Sequence, residues 1–195
     1  MGLHVLIPPS EGKAHGGLRA STKGSLDATL GAARRTVRSA LAETLTDATP
    51  ALQSRVLGVR GALLERAVVA TDQITRGRAP VLPAWQRYEG VVWQHLDPAT
   101  LRAAQRRRIL VPSALYGLTT AEDAIADYRL KFDVRLDGIG RLDDFWRRAL
   151  TDAIVAFVSK GPVVNLLPAE HDRALDHDER VNLVCELVDP LLCVL

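Results

Sequence analysis

Residues 5–13, Val-Leu-Ile-Pro-Pro-Ser-Glu-Gly-Lys, constrain this chain more than any other stretch. Val5, Leu6 and Ile7 suit a short buried strand, and Pro8 and Pro9 forbid its continuation because neither can donate a ladder hydrogen bond. The chain must leave the sheet there. Ser10, Glu11 and Lys13 therefore fall at a strand terminus, with Gly12 expected to supply a positive-φ step and a close backbone approach. In open α/β sheets, ligands bind outside the carboxyl ends of strands. A hydroxyl, a carboxylate and an ammonium delivered together at such a place make Ser10, Glu11 and Lys13 the catalytic candidates, with Glu11 as acid or base and Lys13 as anion anchor.

The 195 residues can enclose one sizeable core, and the 47% hydrophobic and 25% charged content is that of an ordinary globular protein. A single α/β domain over residues 1–195 is expected, with a mixed twisted sheet flanked by helices. No apolar run reaches membrane-spanning length, and no basic stretch followed by a long apolar core opens the chain. A cytoplasmic protein with no membrane partner is expected. Cys185 and Cys193 lack metal-ligand spacing and read as buried thiols of a reducing compartment. The net charge of +2 does not by itself demand a polyanion. The cations are nevertheless clustered, at Arg34, Arg35 and Arg38, at Arg106–Arg108, and at Arg147 and Arg148.

Along the chain, residues 14–27 are rich in Gly, Ser and Thr and predict a loop able to close over the Ser10–Lys13 turn. Leu30, Val37, Leu41 and Leu45 predict an amphipathic helix whose outer face carries Arg34, Arg35 and Arg38. Residues 51–67 predict helix, Gly-Val-Arg-Gly turn, helix. Gly58 and Gly61 either present backbone N–H groups to a phosphate, as helix-hairpin-helix elements do, or simply turn a helical corner. On the first alternative Arg34, Arg35, Gly58, Arg60 and Gly61 form a DNA-binding set. Residues 76–90 predict an irregular excursion ending near Tyr88. A helix is expected over 98–108 with Asp97 as its cap, and its terminal arginines face the negative pole of the dipole.

Ile109-Leu-Val-Pro-Ser-Ala-Leu-Tyr-Gly117 repeats the N-terminal grammar of strand, proline, polar residues and glycine. Thr120 is expected to cap a short helix over Ala121–Asp127. Strict alternation in Tyr128–Leu136 predicts a strand whose wet face, Arg129, Lys131, Asp133 and Arg135, lines a cleft. Leu142 to Phe157 predicts a long amphipathic helix closed by Gly161. Val163–Leu167 is a buried strand whose Asn165 either pins backbone or faces the cleft, and Val181–Val188 is a further strand.

Six motifs in order, Ile7-Pro-Pro-Ser-Glu-Gly-Lys13, Arg87-Tyr-Glu-Gly90, Leu115-Tyr-Gly117, Tyr128-Arg-Leu130, Phe145-Trp146 and Val164-Asn-Leu166, resemble the YaaA family, also known as DUF328 or UPF0246 proteins. The resemblance covers most of residues 1–175. It implies a mixed α/β fold with a helix-hairpin-helix element and a positively charged cleft, DNA binding, and protection against hydrogen peroxide with less iron available for Fenton chemistry. The family name supplies no catalytic reaction. Members usually continue beyond this chain's last residue, so a shortened member is expected. A second copy or a partner chain is expected to cover the apolar segment Leu191–Leu195. Family members also carry an aromatic where this chain has His171, beside the retained Glu170.

The groups expected to share the cleft are Ser10, Glu11 and Lys13 with the ligand-binding set Tyr88, Tyr116, Tyr128, Arg129 and Asn165. Cations for a phosphate and tyrosine faces for a base suit a nucleotide or an unpaired nucleotide of DNA. No metal and no cofactor are expected, since the acidic and histidine residues between Glu170 and Glu179 match no ligand spacing. Three function classes stand open: a DNA-binding stress protein, an enzyme acting on a nucleotide or nucleobase, and a subunit completed by a partner.

Overall fold

The apolar run at the N-terminus forms a strand of three residues, β1 (His4–Leu6), and Ile7 adds one further N–H to the Leu110 carbonyl at 3.0 Å before the prolines end the pairing. The computed structural model describes residues 2–18, 24–159, 161–176 and the backbone of Leu183–Glu186. Helix α1 (Asp27–Leu45) buries Leu30, Val37 and Leu41 at helical spacing. Helix α2 (Pro50–Leu57) begins where Pro50 needs no N–H partner and the Thr49 hydroxyl accepts from the Leu52 N–H. It ends at Gly58 in the left-handed conformation, φ 68°, and Gly61, φ 58°, opens α3 (Ala62–Thr75). The excursion contains β2 (Val81–Pro83), α4 (Ala84–Arg87), α5 (Val91–Leu96), a 3-10 turn at Pro98–Thr100 and α6 (Ala103–Arg106). Next come β3 (Ile109–Ser113), β4 (Gly117–Thr120), β5 (Ala124–Ala126), β6 (Arg135–Leu136), β7 (Gly140–Arg141) and α7 (Leu142–Val158). The described chain closes with β8 (Val163–Asn165), α8 (Ala169–Asp172) and β9 (Leu183–Glu186).

The main sheet has the order β4-β3-β1-β8-β9. β1 runs parallel to both β3 and β8, β9 runs parallel to β8, and β4 folds back antiparallel on β3. The chain leaves β1, places β3 on one side of it, and later returns to place β8 on the other. Strand order thus reverses at β1, the switch point at which a crevice opens beyond the strand ends. This is the expected mixed α/β architecture. Among the described residues no helix is long and apolar enough to cross a membrane.

Several local expectations fail for identifiable reasons. Residues 121–127 hold β5 rather than a helix, because this segment pairs antiparallel with β2. The Asp123 carboxylate accepts from the Thr120 N–H at 2.8 Å, one half of the expected capping pair, but a strand and not a helix follows. Residues 128–134 form no strand, and only Arg135 and Leu136 pair, with β7. The helix over 98–108 shrinks to the 3-10 turn and α6. Gly12 is not at positive φ, and α7 is capped by Ser159 in the left-handed region rather than by Gly161. Arg34, expected on an outer basic face, is only 8% exposed and clamps the Tyr116 and Leu118 carbonyls while pairing with Asp27 at 2.5 Å. The side chains of Cys185 and Cys193, the His177–Glu179 acidic run and the apolar segment Leu191–Leu195 lie outside the described residues.

Candidate functional site

Three strand ends meet over β1. The turn Pro9–Lys13 leaves β1, Ala114 follows β3, and Glu170, His171 and Arg173 follow β8, and all of them line one cleft of about 550 Å³. Its remaining walls are the corner between α2 and α3, from Leu57 to Val59 with Leu63, and the loop Tyr128–Asp133. The volume is that of a small-molecule site. Arg66 and His15 close one end, hydrogen-bonded to each other.

The turn is held by the segment Arg87–Gly90. Arg87 is 0% exposed, and its guanidinium donates to the Ala14, Gly16, Pro80 and Ile125 carbonyls. The Ala14 N–H donates to the Arg87 carbonyl at 2.8 Å, and the Glu89 N–H to the Gly12 carbonyl at 3.1 Å. Gly90 leaves room for Ser10, since a Cβ there would stand 2.5 Å from its hydroxyl. The Trp93 indole N–H donates to the Pro8 carbonyl at 3.1 Å. This segment therefore positions the Ser10–Lys13 turn and does not face the cleft itself, apart from Glu89.

Lys13 is 6% exposed and lines the cleft. Its ammonium donates to the Ser10 carbonyl at 2.7 Å and stands 4.3 Å from the centre of the Tyr128 ring and 5.4 Å from that of Tyr88. Burial, and then the nearby Arg129 charge, push its pKa down to about 7. The tyrosine faces oppose this by favouring the cation. Glu11 is 80% exposed on its side chain and pairs with Lys131 across the cleft. That hydrogen bond holds its carboxyl below the usual range, so it is a carboxylate at neutral pH and not an acid. Ser10 is buried between Gly90 and the Lys13 ammonium.

The expected ligand set divides. Tyr128 and Arg129 line the cleft. Tyr88 and Tyr116 are absent from its walls. The Tyr88 hydroxyl meets that of Tyr128 at 2.9 Å, and the Tyr116 hydroxyl accepts from the Ala126 N–H at 3.0 Å. Burial raises the Tyr116 pKa to about 12 and drives that of Tyr88 up. Asn165 takes the first of its two alternatives, accepting from the Leu167 N–H and donating to Asp172 at 2.9 Å. In the DNA-binding set, Gly58 lines the cleft, Arg60 and Gly61 are exposed on the same corner, Arg35 is exposed on α1, and Arg34 is committed inside.

Of the alternating face at 129–135, Arg129, Lys131 and Asp133 do line the cleft, although they stand on a loop and not on a strand. The cleft that the resemblance implies to be positively charged has walls of mixed charge. Lys13, Arg66, Arg129, Lys131 and Arg173 share the walls with Glu11, Glu89, Asp133 and Glu170. Sequence reasoning missed Asp127, which pairs with both Arg66 at 2.5 Å and Arg129 at 3.3 Å and ties α3 to the loop. No local pattern announces a contact 61 residues long. It also missed Arg66, His15 and Arg173. His171 is half-buried, its ring edge-on to Phe132; desolvation keeps it below the usual imidazole pKa, and the Glu170 carboxylate stands 3.5 Å away. Among the described residues no group of three or more His, Cys, Asp or Glu side chains is arranged to hold a metal.

Sequence comparison places these residues among relatives. The profile of the family described as peroxide stress protein YaaA matches residues 3–190. A UPF0246 protein of Streptomyces coelicolor is 36% identical over 176 residues, covering 87% of this chain and 66% of its own length. A UPF0246 protein of Corynebacterium efficiens is 33% identical over 154 residues, covering 77% of this chain and 61% of its own length. A third, of Porphyromonas gingivalis, is 30% identical over 148 residues, covering 72% and 58%. The matched part of the chain thus spans about six-tenths to two-thirds of the length of these three relatives.

Proposed function

The chain belongs to the peroxide stress protein YaaA family, UPF0246, and we propose that its cleft binds a phosphate-bearing nucleotide unit, free or within a DNA strand, in protection against hydrogen peroxide. The observation that carries this reading is the cleft beyond β1, where Lys13 lies over the Tyr128 face beside Arg129 and opposite the Gly58 corner. A phosphate suits the cations, and a base suits the apolar surface of Leu57, Leu63 and Phe132. The four carboxylates of the walls favour a ligand that also offers hydrogen-bond donors, as exocyclic amines and sugar hydroxyls do. A long uniform polyanion fits them less well.

Strand placement follows from the corner. Gly58 and Gly61 bring the backbone to the surface beside the cleft mouth, with Arg60 exposed between them, so a nucleotide in the cleft leaves its neighbours running over this corner. Binding then has a counterion-release component. A labelled single-stranded oligonucleotide titrated by anisotropy over a salt series should lose affinity steadily with salt. Arg60→Glu should weaken it about tenfold and reduce the salt slope, because a phosphate contact becomes a repulsion. Affinity that is flat with salt and indifferent to Arg60→Glu would sink the reading.

A second reading, an enzyme acting on the bound nucleotide, is favoured by Lys13 alone. Glu11 remains available as a base only after Lys131 releases it.

A further inference from the structure

Lys13 is a buried amine with no ion-pair partner among the described residues. Every other buried or half-buried cation around the cleft is tied to a carboxylate or to several carbonyls: Arg66 and Arg129 to Asp127, Arg87 to four carbonyls. Asp127 and Glu11 act on Lys13 only from longer range. A methionine would fill the same space without the cost of desolvating a charge. The amine nevertheless lines an open cleft, presented across the Tyr128 face beside the Arg129 guanidinium. An apolar surface and a neighbouring cation together are the conditions under which a lysine becomes a nucleophile.

We propose that Lys13 forms an imine with the aldehyde of a phosphate-bearing sugar, whether an open-chain sugar phosphate or an abasic deoxyribose in DNA. The inference rests on the reading of the cleft as a phosphate site and adds the reacting atoms. The Nζ lone pair attacks the carbonyl carbon, and one amine hydrogen passes to the oxygen to give a carbinolamine. A proton from solvent at the open mouth then lets that oxygen leave as water. Lysine amine, aldehyde and one proton become a protonated imine and water, with no oxidant or reductant required. Arg129 and Arg173 stand on the same walls to receive the phosphate, and the Tyr128 face receives the developing iminium charge. The depressed pKa of Lys13 supplies neutral amine at physiological pH.

The test is reductive trapping. The protein is incubated with borohydride and, in separate arms, ribose 5-phosphate, an oligonucleotide carrying one abasic site, or propionaldehyde, which has no phosphate. Peptide mass mapping should find a stable adduct, the aldehyde less one oxygen, on Lys13 in a phosphate-bearing arm, at least tenfold above Lys131, Lys23 or Lys160. The sugar-phosphate and abasic arms tell which source is used. Label spread over all four lysines, or equal trapping of propionaldehyde, overturns the proposal. Because all lysines are compared within one folded sample, the result does not depend on a variant folding. Lys13→Arg should abolish the adduct and retain phosphate binding. Binding is read separately with an oligonucleotide carrying a tetrahydrofuran abasic analogue, which has no aldehyde. If the analogue binds and nothing is trapped, the imine fails while the cleft reading stands. If neither binds nor traps, the cleft reading fails with it.

Discussion

At the residue scale, two buried cations solve the same problem in opposite ways. Arg87 is fully enclosed and satisfied by four carbonyls, so it holds the β1 turn to β2 and β5. Replacing it by methionine leaves those carbonyls without donors, and we expect a loss of about 3 kcal/mol or more in urea unfolding. Lys13 instead carries a cost. Its pKa is about 7 in the folded chain against 10.5 unfolded. Below about pH 7 both states are charged and the folded state bears the whole penalty. Between about 7 and 10.5 the unfolded chain binds the extra proton, so stability rises with pH, and above 10.5 the penalty is gone. Lys13→Met should therefore stabilise most at the acid end, by at most about 5 kcal/mol, with the gain shrinking at alkaline pH. The charged and titrating groups around it are Glu11, Arg66, Arg87, Tyr88, Asp127, Tyr128 and Arg129. Urea midpoints measured at about pH 6 and about pH 9 check the sign. The sequence made Ser10–Lys13 legible because proline and glycine act locally. That Arg34 turns inward and Arg87 is a clamp was not legible, since an arginine's partners are carbonyls distant in sequence.

At the element scale, the family motifs act as fasteners for strand ends. Gly117 sits at φ +73°, and a Cβ there would meet the Trp146 ring at 2.7 Å. The Trp146 indole N–H in turn donates to the Ala114 carbonyl at 2.8 Å, fixing the residue that follows β3. Gly117→Ala must strain the backbone and displace a fully buried tryptophan, and should cost about 2–4 kcal/mol in urea unfolding. Its effect should appear in stability and not in affinity per folded molecule. The corner glycines behave differently. A Cβ on Gly61 meets nothing, so Gly61→Ala pays only for its positive φ, about 1 kcal/mol, while altering the surface proposed to meet the strand. Helical periodicity was legible for α1, α2, α3 and α7, where one stripe faces the core. The alternation at 128–136 named the right cleft residues and the wrong element. Alternation fixes which side chains share a face, whereas a strand also needs a partner, and among the described residues none pairs with 128–134. Residues 121–127 failed in the converse way, their helix signals being overridden by pairing with β2.

At the scale of the whole molecule, the site follows from topology. β1 is flanked by parallel neighbours placed before and after a long return of the chain, so three carboxyl strand ends converge on one crevice. Sequence marked two of those ends by the same strand, proline and glycine grammar. It did not show that the corner between α2 and α3 would form the facing wall, because Asp127 makes that closure by gripping Arg66 of α3 and Arg129 of the loop. The electrostatic character is set at this scale also. Cations and carboxylates share the walls, which suits the proposed nucleotide ligand, a group with both negative charge and hydrogen-bond donors. Hydrogen–deuterium exchange with and without a saturating single-stranded oligonucleotide tests this most directly. A ligand seated in the cleft should slow exchange at residues 9–14, 57–63, 128–133 and 169–173 together, the four walls of one cleft. Protection confined to the outer faces of α1 and α7, or unchanged exchange at residues 9–14 with the oligonucleotide bound, would contradict it.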